Sequence, residues 1–99
     1  MSDLEIKKQI VHKIKYIFEK NQKLACYTMF LSTTMFDTIF ETYLQEYIGI
    51  DLNDVEFIKS KLEAVLNLKL SDFLNLDELF EMYFLCKDYI HILMRKLDR

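Results

Sequence analysis

The chain has no proline, no tryptophan and a single glycine among its 99 residues. β-Hairpin turns draw on Asn-Gly, Asp-Gly and similar glycine-bearing pairs, and neither dipeptide occurs here. The punctuation of a sheet protein is therefore missing, and the sequence predicts an all-α fold. Long apolar runs are missing too. The longest stretch without a charge, Leu24 to Phe36, is 13 residues. A helix crossing a bilayer needs about 20 mostly apolar residues, and Ser32, Thr33 and Thr34 interrupt this run. No membrane segment is expected; the run reads as the part of a helix that other protein surrounds.

Motifs that carry chemistry are also absent. His12 and His91 are the only histidines, and neither has a second ligand at a zinc-helix spacing. There is no glycine-rich phosphate loop, no nucleophile elbow and no carboxylate pair that stands apart from the other acids. The expectation is a protein without catalytic activity, metal or cofactor. Cysteine is limited to Cys26 and Cys86. Both fall on apolar helix faces and are expected as buried thiols. Two thiols with no secretory leader pattern fit a reducing, cytoplasmic setting.

What the chain does have is apolar bulk. Hydrophobic residues make up 52%, with eight Phe and six Tyr, enough to offset the ordering entropy that leaves polar chains disordered. A chain of this length folds as one domain, residues 1–99. Ser2-Asp-Leu-Glu5 has the form of a capping box, and apolar residues at Leu4, Ile6, Ile10, Val11, Ile14, Ile17 and Phe18 follow at helical spacing. Helix 1 is predicted from Asp3 to about Lys20, with Asn21 as a stop. Helix 2 is predicted from Gln22 to Ile48, closed by Gly49. It is continuous unless Ser32-Thr33-Thr34 breaks it, since such residues prefer caps. Asn53-Asp-Val-Glu56 opens helix 3, with Val55, Ile58, Leu62, Val65 and Leu66 inward and an end near Asn67. A turn of helix is placed at Ser71–Leu74. Asn75-Leu-Asp-Glu78 opens helix 4, with Leu79, Tyr83, Cys86, Ile90, Leu93 and Leu97 inward. The architecture implied is a four-helix bundle-like domain, or five helices if helix 2 breaks.

The charges are segregated. Residues 1–23 carry six Lys and three acids, residues 24–81 three Lys and eleven acids, and residues 82–99 four basic and two acidic groups. Part of this is pairing between helix rims, and acids at helix starts suit the macrodipole. The functional reading is an acidic docking face built from Asp37, Glu41, Glu46, Asp51, Asp54 and Glu56, with Tyr43, Tyr47 or Phe57 as apolar anchor. Such a field steers a cationic protein into contact and repels phosphates. The expected function is a non-catalytic binding module, an inhibitor or antidote of immunity or antitoxin type, that covers the basic active surface of a partner such as a nuclease. No direct nucleic acid partner is expected.

Two alternatives stand beside it. One is a homodimeric assembly subunit joined through helix 2 or helix 4. The other is a nucleic-acid-associated regulator using helix 1, where Lys8, His12 and Lys15 share a face with Lys7, Lys13 and Lys20 beside it. The bland account of that face is a solvated one. On helix 4, Phe84 lies in the middle of a polar stripe formed by Asp77, Glu81, Asp88, His91 and Arg95; an aromatic ringed by charge suits a binding anchor.

Overall fold

Asp3, the first residue of the first helix, lies beside Arg95 near the chain's far end (3.5 Å), while Asn21 donates to the Phe73 carbonyl at 2.6 Å. These two ties fix an antiparallel pair that forms the spine of the molecule. The computed structural model describes residues 1–42 and 55–95. Tyr43, Glu46, Tyr47, Asp51, Asp54, the Gly49 bend, the Asn53 cap and Leu97 lie outside those residues. The described residues hold four α-helices and no strand: α1 Asp3–Glu19, α2 Thr33–Thr42, α3 Val55–Leu66 and α4 Leu76–Arg95. Two short 3-10 turns, Ala25–Phe30 and Leu70–Asp72, lie between them. The fold is an all-α small helical bundle.

Each boundary has a local cause. Ser2 Oγ accepts from the Glu5 N–H at 3.2 Å and starts α1. Asn21 ends it: its side-chain oxygen accepts from the Lys23 N–H (2.9 Å) while its amide reaches Phe73. The chain then turns through 3-10 geometry instead of continuing as a helix. Helix 2 is therefore not continuous from Gln22. The break falls at Leu31-Ser32, where Leu31 is extended and Ser32 Oγ takes the Met35 N–H at 3.1 Å. That cap satisfies an orphan donor that a continuous helix would not have. The helical turn predicted at Ser71–Leu74 is present one residue earlier, as Leu70–Asp72.

Asn67 stops α3 in the left-handed region at φ 54°. The Leu68 N–H reaches back to the Glu63 carbonyl (3.3 Å) in a Schellman-type closure, and the Glu63 carboxylate receives the Leu70 N–H at 2.7 Å. At α4 both halves of the capping box form: Glu78 N–H to Asn75 Oδ1 at 2.9 Å and Asn75 N–H to Glu78 Oε1 at 3.0 Å.

The core is one cluster. Ile10, Ile14, Ile17 and Phe18 of α1 meet Met82, Cys86, Tyr89 and Leu93 of α4, with Ile58 and Leu62 of α3 closing another side. Phe36 and Phe40 of α2 enclose Tyr89, ring centroids 5.5 and 6.1 Å away. The uncharged run is anchored by buried Leu24 and Leu31, but between them Cys26, Met29 and Phe30 are exposed. It is a surface turn and not a surrounded helix; the absence of charge reflected two anchors and a 3-10 period, not burial all round. Cys26 is accordingly exposed, and only Cys86 is the buried thiol predicted. Val65 and Leu4, expected inward, are also exposed.

Candidate partner-binding face

The residues proposed for an acidic docking face do not share one environment. Asp37 is engaged inside the fold. Its carboxylate lies 2.8 Å from the Lys7 ammonium and accepts the Tyr89 hydroxyl at 2.7 Å. Lys7 was expected beside a solvated face, yet it is buried. Its stem follows α1 inward, so its charge meets the N-terminal half of α2. Burial pushes the Tyr89 phenol up, and its bond to Asp37 and the charges of Asp37 and Glu41 push further the same way. Glu41 is exposed on α2. Glu56 is exposed on α3, 3.5 Å from Lys59. Phe57 is half-buried against the core, with the Lys61 ammonium 5.0 Å from its ring centroid. Asp37 and Glu41 thus bear on Tyr89, whereas Glu56 bears on Tyr83, six residues earlier on α4 and roughly 9 Å away along its axis.

A different surface joins apolar bulk to acid. Leu76, Phe80 and Phe84 of α4 are 65%, 43% and 56% exposed. Their four-residue spacing sets them on one slowly drifting line about 12 Å long. Asp77, Glu81 and Asp88, all exposed, run beside that line. On α3, Glu56 is exposed and Glu63 half-buried. After burial, their charges are the next causes raising the Tyr83 phenol. Three exposed carboxylates of α4 run beside the ridge, and the Lys87 ammonium sits 5.9 Å from the Phe84 ring centroid.

The helix period makes this ridge. α4 buries Leu79, Met82, Tyr83, Cys86, Tyr89, Ile90 and Leu93, and that set already fills its inward half. Leu76, Phe80 and Phe84 are surplus to the core. The sequence exposed the signal at Phe84, which stands in a polar stripe. Leu76 and Phe80 escaped notice because they adjoin the apolar face. Exposed aromatics at the centre of a charged rim are the residues that dominate protein interfaces.

Among the described residues no group of three or more His, Cys, Asp or Glu is placed to hold a metal, and no helix is long and apolar enough to cross a membrane. No protein-family model matches the chain, nor does any curated protein or solved structure.

Proposed function

We propose that the chain is a non-catalytic, cytoplasmic protein-binding module of inhibitor or antidote type, which covers a basic surface of its partner, such as the polyanion site of a nuclease. The observation that supports this reading is the exposed line Leu76–Phe80–Phe84 beside the exposed carboxylates of Asp77, Glu81 and Asp88. The apolar ridge supplies contact area that water leaves on docking, and the acids select a cationic partner and accelerate encounter. Of the acidic set read in the sequence, Glu56 is exposed on α3, whereas Asp37 is occupied by Lys7 and Tyr89.

The test is comparative capture followed by titration. The chain and its Phe80→Asp/Phe84→Asp variant are immobilised and exposed to extract of the source cells at low salt. The expected result is a basic protein held by the first and lost by the second. Titration of that purified protein should show at least tenfold weaker binding to the variant, and a loss of the partner's activity on polyanions when the native chain is added. Equal retention by both, or an acidic partner, would refute the reading.

A further inference from the structure

We propose that the outward surface of α1 binds single-stranded nucleic acid, with phosphates along its lysines and a base on Tyr16. The inference is centred on α1 and does not rest on the α4 ridge; α4 contributes only His91 and Arg95 at the edge of the surface. Tyr16 is 59% exposed at the crest of α1, with the Lys20 ammonium 4.8 Å from its ring centroid. A groove of about 240 Å³ on one flank is lined by Lys8, His12 and Lys15, with Val11 and Thr33. The seam on the other flank, about 280 Å³, is lined by Lys13, His91 and Arg95, with Asp88 among them, above an apolar floor. Lysines therefore lie on both flanks of the helix that carries Tyr16. Among the described residues Lys8, Lys13 and Lys15 have no carboxylate within ion-pair distance, and Arg95 reaches only Asp3, at 3.5 Å.

This combination is what a single strand requires. The backbone needs a cationic track, and bases need a flat face on which to stack. From Lys8 to Lys15 the track is roughly 10 Å long. The net charge of −3 describes the whole chain; the fold separates its signs, leaving the positive share on α1. Glu5, Glu19 and Asp88 share the neighbourhood, so binding is weak and strongly dependent on salt. Duplex DNA, whose bases are already stacked, gains nothing from Tyr16.

The experiment is fluorescence anisotropy of a labelled oligothymidylate of about 20 nucleotides titrated with the full chain. Engagement of about three phosphates predicts a log–log salt slope of roughly −2. Tyr16→Ala is expected to weaken binding about tenfold while Tyr16→Phe retains it. Lys8→Gln/Lys15→Gln should weaken binding and bring the slope toward roughly −0.7. Val65→Ser, a neutral change at an exposed position of α3, should leave the titration unchanged. Absence of binding at about 20 mM salt, tighter binding of duplex than of single strand, or competition by inorganic polyphosphate at equal charge with Tyr16→Ala inert would each overturn the proposal. Loss of binding with Val65→Ser would overturn its assignment to α1.

Discussion

Lys7 is the residue whose environment departs furthest from its type. A buried ammonium is costly unless paired and hydrogen-bonded. Here Asp37 Oδ1 and Oδ2 lie 2.8 and 3.1 Å away, and the Tyr89 ring adds a cation–π contact at 5.6 Å. The pair is asymmetric: the Asp37 side chain keeps 29% exposure and the Lys7 side chain 6%. Removing the acid therefore strands the better-buried charge. Asp37→Leu is expected to lower stability by about 3 kcal/mol, Lys7→Met by about 1 kcal/mol, and the double variant by less than the first alone. Urea denaturation of the three measures it, and additive costs would show that the groups do not interact. The Cys86 thiol, pushed up to about 12 by burial from an exposed value of 9.0, makes a second prediction. Between those values the unfolded chain binds fewer protons than the folded one, so stability falls as pH rises, by up to about 1.4 kcal/mol per pH unit. Tyr89 and Tyr83, both raised, add to the loss from pH 10 upward. The contribution of these three groups is retained below about pH 9. At pH 8 a thiol reagent should modify exposed Cys26 and leave Cys86 untouched until guanidinium is added.

At the scale of elements, the chain's stops and starts are set by side-chain caps more than by propensity. Ser32→Ala removes the acceptor for the Met35 N–H and should cost about 1 kcal/mol. Asn75→Ala at the reciprocal box of α4 should cost at least as much. Asn67→Gly, at a positive φ, should be neutral or stabilising by up to about 1 kcal/mol, whereas Asn67→Val should destabilise. Thermal melts of the four variants separate these outcomes. The caps also mark what could be read in advance. Ser2, Asn67 and Asn75 lie next to strong apolar periodicity, so α1, the end of α3 and α4 were legible from the sequence. Around Ser32 two signals competed. Thr34 and Asp37 have capping spacing, and apolar residues continue on both sides; the turn that wins is fixed by Asn21 bonding to Phe73, 52 residues away. A tie at that separation leaves no local trace. Lys7 was unreadable for the same reason, since a lysine is placed outside by its type and inward only by a carboxylate from another helix. Phe84 was legible as a misplaced aromatic, but the line it forms with Leu76 and Phe80 needs to be seen with the inward set already spent on the core.

For the whole molecule, the question left by an exposed apolar ridge is whether a second copy covers it. Two α4 helices packed about a two-fold axis perpendicular to them, the symmetry that relates most soluble homodimers being two-fold, run antiparallel and bring the same edge of each ridge together. The row of Asp77, Glu81 and Asp88 would then face its own copy. Like charges so juxtaposed cost several kcal/mol in an interface, against roughly 1.5–3 kcal/mol for each buried Leu or Phe. The acids thus disfavour self-association through the ridge, a role charge commonly plays in specificity. The chain is expected to sediment as a monomer at tens of micromolar in low salt, within the range where weak apolar contacts would show. The variant Asp77→Ser/Glu81→Ser/Asp88→Ser should dimerise under the same conditions, and Phe80→Asp added to it should restore the monomer. A native chain already dimeric at low salt, still dimeric with Phe80→Asp, would place the self-contact elsewhere and leave the acidic row without this function.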